Sequence, residues 1–227
     1  PATTLLVIAW AWPRGADAPA VQRWIRIGLL FSLAGDVFLM WPQQGFLPGL
    51  VAFLLAHLAF IVAFTRRVPL LARSQPFALY ALVAAVLLAQ LWPDVPAALR
   101  WPVFAYVVCL ATMAAQAGVV WLVARGSGGE ALARNAAIGG VLFVTSDTLL
   151  AFNRFNAPIA LSALLILATY WTALGLIAAS LRAPRSACAC GGPAMAGRQS
   201  FSGRPFRSAH RRSRPARLAP SQPHRHL

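Results

Sequence analysis

Two aspartates lie where lipid-facing sequence should exclude them. Asp36 sits in IGLLFSLAGDVFLM and Asp147 in IGGVLFVTSDTLLAF. The chain has five acidic residues among 227, so two of them in apolar runs is a strong departure. An ionisable group at the bilayer centre costs about 2.5–3.5 kcal/mol on insertion scales and marks a functional site by default. Two carboxyls in one dry site suit acid–base chemistry, because burial and a neighbouring carboxylate both oppose a second charge. One acid then stays protonated while its partner is ionised. Such a pair can protonate a substrate and activate a water, or carry protons through a transporter. As structural groups, they would instead make interhelical hydrogen bonds through a protonated carboxyl. The flanks also correspond: with the aspartates superposed, Gly28 falls on Gly139, Gly35 on Ser146 and Leu39 on Leu150.

Other polar residues recur in apolar sequence. Ser32 lies one turn before Asp36 and shares its face. Gly28 and Gly35 allow a second helix close approach. Thr145, Ser146 and Thr148 surround Asp147, with Gly139 and Gly140 two turns back. His57 lies in FLLAHLAF, Thr112 and Gln116 share a helix face, and Thr169, Tyr170 and Thr172 follow later. These groups converge on an interior polar cavity if the small-residue faces turn inward. The alternative for His57 is a satisfied packing histidine, and for Thr112 and Gln116 simple packing. Ser146 lacks the G-x-S-x-G context of a serine nucleophile.

The elements that must position these residues are long apolar helices. The chain is 59% hydrophobic and 11% charged, with mean hydropathy +0.65, against about 25% charged in soluble domains. Continuous Ala- and Leu-rich runs exclude the alternating pattern of a membrane β-barrel. The fold class is therefore all-α, a polytopic transmembrane bundle. Seven segments are expected, near 1–12, 25–41, 46–65, 77–92, 101–124, 135–152 and 158–181. Prolines punctuate the gaps, and Trp10, Trp12, Trp24, Trp41, Trp92 and Trp101 mark the interfaces. The first run is too short to span a core of about 30 Å, so a missing start, and one earlier helix, are expected.

Arginine sets the orientation. Arg14 and Arg23, then Arg66, Arg67 and Arg73, then Arg125 and Arg134, fall in alternate loops. Those loops and the C-terminus are expected in the cytoplasm, placing both aspartates in the outer half of the bilayer. A multi-pass protein of a bacterial inner membrane is the expected setting. The formal charge of +15 is no sign of nucleic-acid binding, because ten of the twenty Lys and Arg residues, all arginine, lie from Arg182 onward. A basic tail beside a membrane first meets anionic lipid. Cys109 is a small core residue, and Cys188 with Cys190 lacks the second ligand pair of a zinc site; no metal site is expected.

The run GLLFSLAGDVFLM, followed by FLPGLVAFLLAHLAFIVAF, resembles the YhhN/TMEM86 membrane family, the lysoplasmalogenases. GGVLFVTSDTLLAFNRF is similar to that family's second aspartate motif, and PATTLL looks like its K-P-x-T-T segment without the lysine. The resemblance covers about residues 1–181. It implies eight transmembrane helices in the full-length protein, so one would be absent here. It also implies hydrolysis of the vinyl ether bond of lysoplasmalogens to a fatty aldehyde and a glycerophospho-headgroup, with no metal or organic cofactor. A lysophospholipid in the membrane is then the partner. Asp36 and Asp147 would be the acid–base pair, with His57, Tyr170, Ser32, Ser146 and Gln116 around the substrate. A proton-coupled small-molecule transporter and a non-catalytic lipid-binding protein are the alternatives.

From residue 182 to 227 the chain turns to Arg, Ser, Pro and Gly with no acid. Such sequence cannot bury enough apolar surface to fold. It reads as a disordered basic tail or as an out-of-frame reading of a GC-rich gene. Resequencing the 3′ end separates the two: an intact frame through residue 227 overturns the second.

Overall fold

The computed structural model describes residues 1–41, 43–158 and 160–183. The expectation for the tail lies outside the described residues from residue 184 onward. Among the described residues there are seven α-helices and no strand, apart from a single 3-10 turn at Ala97–Leu99: α1 (Ala2–Ala11), α2 (Pro19–Phe38), α3 (Phe46–Thr65), α4 (Ser74–Leu91), α5 (Arg100–Ala124), α6 (Glu130–Phe155) and α7 (Ser162–Ala179). They follow the seven apolar segments in order, and α3 matches its segment at both ends. Helices α2 and α6 begin six and five residues before the apolar runs. The added residues include polar ones, Gln22 and Arg23 in α2 and Glu130 and Arg134 in α6. Hydropathy registers only the apolar part, whereas the backbone hydrogen bonds extend through the polar turns. Pro19 opens α2 at a position where a missing N–H costs nothing.

Among the described residues, five helices are long and apolar enough to cross a membrane: α3, α4, α5 with its preceding 3-10 turn, α6 and α7. The other two expected spans differ for separate reasons. Helix α1 has ten residues, and α2, although 20 residues long, carries Arg23, Arg26 and Asp36.

Helices α2, α3, α5, α6 and α7 pack in that order around a ring that closes from α7 back to α2, with α1 wedged between α7 and α2. Helix α4 stands outside, packed on α5 and touching α6. Lipid tails are as apolar as leucine, so close packing and internal hydrogen bonds, rather than the hydrophobic effect, hold such a ring together. Small residues supply the packing. A Cβ on Gly35 would come within 2.6 Å of the Phe53 ring, and one on Gly139 within 3.0 Å of the Ala173 carbonyl. The aspartate-bearing helices α2 and α6 thus each lay their glycine face on the helix that follows. Phe60, Phe64 and Phe143 fill the centre of the core and are fully buried.

Gly35→Leu should drive Phe53 out of its place and destabilise the bundle by about 1–3 kcal/mol, the usual cost of overpacking. Gly175→Ala, where an added Cβ meets nothing within 4 Å, is the control. Thermal unfolding of the two variants in the same detergent checks the difference.

Candidate active site

Each ring helix sends one polar side chain inward: Asp36 from α2, His57 from α3, Tyr106 from α5, Asp147 from α6 and Tyr170 from α7. Both aspartate side chains are largely buried, at 9% and 11% exposure. Their placement follows from the helix packing. Gly35 brings α2 against Phe53, so Asp36, the next residue, is held at that contact. The Phe53 ring meets Tyr170 edge-on at 5.8 Å.

Tyr170 joins the two halves of the cluster. Its hydroxyl donates to the Ser32 carbonyl at 3.3 Å and interacts with the Asp36 carboxyl. Phe143 stands edge-on to both Tyr170 and the His57 ring and links the two sides. Asp36 accepts a hydrogen bond from the Thr4 hydroxyl of α1. On the other side, the Tyr106 hydroxyl donates to Asp147 Oδ2 at 2.5 Å. His57 Nε2 stands 3.9 Å from the same oxygen, beyond direct hydrogen-bond reach.

The His57 ring is fully buried between Phe143 (4.7 Å) and Tyr106 (5.2 Å), and Phe143 in turn meets Tyr170 at 5.5 Å, all edge-on. Neither His57 nitrogen has a hydrogen-bond partner in the protein, and neither does the buried Ser32 hydroxyl. Buried polar groups normally find partners. Three unpaired polar atoms beside two carboxyls therefore leave donors and acceptors for a water or a substrate atom. The arrangement offers two carboxyls in one site walled by aromatic rings, Asp147 beside Tyr106 and His57 and Asp36 beside Thr4. That is equipment for moving protons away from bulk water.

Five of the sequence-derived residues come together: Asp36, Asp147, His57, Tyr170 and Ser32. Two do not. Gln116 donates to the carbonyls of Val68 (2.8 Å) and Pro69 (3.4 Å), tying α5 to the turn after α3. Ser146, although next to Asp147, points along a different face and donates to the Ile166 carbonyl of α7 at 3.1 Å. The hydroxyls of Thr112, Thr145, Thr169 and Thr172 bond back to carbonyls four residues earlier on their own helices, which removes them from the cluster. Sequence reasoning missed Tyr106 and Thr4. Tyr106 carried a usable signal, since it is one of three tyrosines in the chain and lies mid-helix in an apolar run. Thr4 carried none, because a helical threonine can always satisfy itself locally.

Farther from the cluster, Arg67 donates to the Ser180 carbonyl at 3.0 Å, and Arg182 pairs with Asp17 at 3.4 Å. Burial pushes Arg67 below its usual range, an effect that Asp17 partly offsets. These contacts tie the ends of α3, α7 and the α1–α2 turn.

A multi-pass helical bundle with two carboxyls around a buried tyrosine is the class of protein these features define. The YhhN family profile matches residues 1–181, and the chain belongs to that family. Bovine lysoplasmalogenase TMEM86A is 34% identical over 163 residues, which cover 71% of this chain and 66% of the bovine protein. Porcine lysoplasmalogenase TMEM86B is 37% identical over 161 residues, 67% of this chain and 61% of the relative. The lysoplasmalogenase of Mycobacterium bovis is 32% identical over 166 residues, 68% and 57% of the two chains. The chain thus matches somewhat under two thirds of these relatives' own length. No solved structure matches.

Gln116→Leu should leave the Val68 carbonyl without its donor and lower stability by about 1–3 kcal/mol. Chemical or thermal unfolding of the detergent-solubilised protein measures it.

Proposed function

We propose that this protein hydrolyses the vinyl ether bond of lysoplasmalogens, with Asp36 and Asp147 as its acid–base pair. The observation that carries the reading is that both aspartates border one buried cluster, Asp147 against Tyr106 and His57 and Asp36 one turn from Ser32, whose carbonyl accepts from Tyr170. The names of relatives in mammals and mycobacteria, all lysoplasmalogenases, support the substrate class. The arginine-bearing loops support a cytoplasmic C-terminus and a site in the outer half of the bilayer.

A vinyl ether hydrolyses by protonation of its β-carbon. The double-bond electrons form the new C–H bond, and an oxocarbenium ion results. Water adds at the α-carbon and loses a proton to a base. The hemiacetal then collapses, breaking the carbon–oxygen bond to the glycerol, which leaves as the alcohol with the returned proton. The sum is one water consumed, one aldehyde and one lysolipid-derived alcohol released. Asp147 borders a mostly apolar cavity lined by residues of α3, α4, α5 and α6, so it is the acid nearer the alkenyl chain. Asp36, on the α1 and α2 side, is the base for water. Tyr106 holds one oxygen of Asp147 and leaves the other for the substrate, while His57 and Tyr170 orient water. The carboxylates also stabilise the cation in a site with little competing solvent.

Asp36→Asn and Asp147→Asn should each lower kcat by about 10²–10⁴-fold, the usual worth of general acid–base catalysis. Aldehyde release from lysoplasmalogen in membranes carrying the protein is the measurement, and unchanged activity in both variants defeats the assignment. In D₂O the released aldehyde should carry one deuterium at the carbon next to the carbonyl. Its absence rules out protonation of the double bond. Tyr106→Phe should cost about tenfold in kcat, since its hydrogen bond stabilises the carboxylate that Asp147 becomes on giving up its proton, and a bond to a charged group is worth about 1.5 kcal/mol or more.

A further inference from the structure

A second cavity, of about 270 Å³, lies at the end of the bundle where the arginine-bearing loops gather. Its walls come from the α1–α2 turn, the turn after α3, the end of α5, the start of α6 and the residues after α7. His57 is eight residues, about 12 Å, from the end of α3 at Thr65, so this space is separate from the acid cluster. One side is charged, with Asp17, Arg67 and Arg182. The facing side is apolar, with Val120, Val123 and Leu132 of α5 and α6. Val123 is 48% exposed, so the apolar side reaches the outer surface of the bundle.

Tertiary contacts hold the two guanidiniums in place. Arg67 donates from Nη2 to the Ser180 carbonyl at 3.0 Å and to its hydroxyl at 3.4 Å. Both bonds use one nitrogen, and a guanidinium carries five N–H donors, so Arg67 can hold Ser180 and an anion at once. Arg182 meets Asp17 through Nε at 3.4 Å, so its terminal nitrogens remain as donors. Its backbone is pinned as well: the Gly15 N–H donates to the Arg182 carbonyl at 2.9 Å. Gly15 has φ +81°, and a Cβ there would come within 2.9 Å of Leu181, so glycine suits that turn. Two guanidiniums face one carboxylate, which leaves one positive charge in excess. Glu130 stands outside the lining, and its carboxylate accepts from the Gly126 N–H at 2.8 Å. Burial depresses the Arg67 pKa and Asp17 offsets this only in part, so the site is short of counter-charge.

We propose that this cavity binds the phosphodiester of an anionic membrane lipid, with Arg67 and Arg182 on the phosphate oxygens and the α5–α6 side against the glycerol and the first chain carbons. Charge selects the ligand. A phosphodiester with an uncharged headgroup carries one negative charge, which matches the single positive charge in excess; a zwitterionic lipid carries none. Guanidiniums bond phosphate through parallel pairs of N–H groups and are weakly hydrated, so they exchange water for phosphate readily. Basic pockets between transmembrane helices recognise lipid headgroups in this way. The apolar side selects the source: it offers nothing to a free phosphate, whereas for a lipid it continues into hydrocarbon. The bound lipid joins the α1–α2 turn to the ends of α3 and α7 through one anion, and it stabilises the fold by mass action. The site stands independently of the chemistry at Asp36 and Asp147.

The test uses the full chain in a non-ionic detergent, with dioleoyl phosphatidylglycerol or dioleoyl phosphatidylcholine added at equal mole fraction. Native mass spectrometry reads the bound lipid, and thermal unfolding reads its effect. Phosphatidylglycerol should bind about tenfold more tightly than phosphatidylcholine and raise the unfolding temperature. Arg67→Gln and Arg182→Gln should each weaken phosphatidylglycerol binding about tenfold, the worth of one charge-assisted hydrogen bond. The Arg182 side chain is exposed, so Arg182→Gln gives the answer where Arg67→Gln does not fold. Asp17→Asn removes the competing carboxylate and should tighten binding about threefold, whereas weaker binding there overturns the charge match. Arg154→Gln, at the other end of α6, should leave binding unchanged. Equal binding of the two lipids, or binding unmoved by either arginine variant, overturns the site. Inorganic phosphate or glycerol 3-phosphate raising the unfolding temperature as far as phosphatidylglycerol does, at the same concentration, overturns a lipid as the source of the anion.

Discussion

A carboxyl placed among hydrocarbon must find hydrogen-bond donors inside the protein, and much of this architecture answers that requirement. Asp147 takes its donor from Tyr106 of α5, and Asp36 takes one from Thr4 of α1. Neither partner is on the aspartate's own helix. The donors come within reach only if α1, α2, α5 and α6 are all in place. Breaking a buried pair of this kind leaves the remaining partner unsatisfied in a low-dielectric interior, which is the expensive outcome. The aspartates therefore make ring closure and the formation of the site the same event.

Closure at short range depends on small residues. The α2–α3 and α6–α7 pairs use the same device: a glycine on the aspartate-bearing helix, Gly28 or Gly139, lies against a side chain of the next helix, Phe60 or Ile177. Immediately before each aspartate the correspondence continues. Gly35 accepts the Phe53 ring, and its counterpart Ser146 donates to the Ile166 carbonyl. The two halves of the sequence thus deliver two carboxyls by related helix pairs. Tyr170, which donates to the Ser32 carbonyl, has no counterpart at the matching place in α3; His57 and Phe53 fill that side instead. The result is a site with two similar acids in different surroundings, one bordered by an apolar cavity and the other by α1.

Helix α4 departs from this scheme. It takes no part in the polar cluster, and its face toward the ring is mostly aliphatic. In a bundle whose other helices are held by glycine contacts and polar bonds, a helix with few buried residues is free to be a wall.

The sequence by itself determined the all-helical architecture, the order of seven helices and the positions of the two costly acids. These are legible because hydrophobic runs, prolines and interfacial tryptophans follow from the bilayer's thickness and chemistry, which act on each segment separately. The close approaches at Gly28 and Gly35 were also legible, since absence of a side chain is itself a signal. The tertiary structure decided which polar residues meet. Gln116 and Ser146 look as suitable as His57 and Ser32 in a linear reading, yet their side chains are consumed by the Val68, Pro69 and Ile166 carbonyls. Four threonines satisfy themselves one turn back, and Tyr106 turns out to hold Asp147. A helical polar residue can face inward, face a neighbour or bond to its own backbone, and only the packing of the other helices selects among the three.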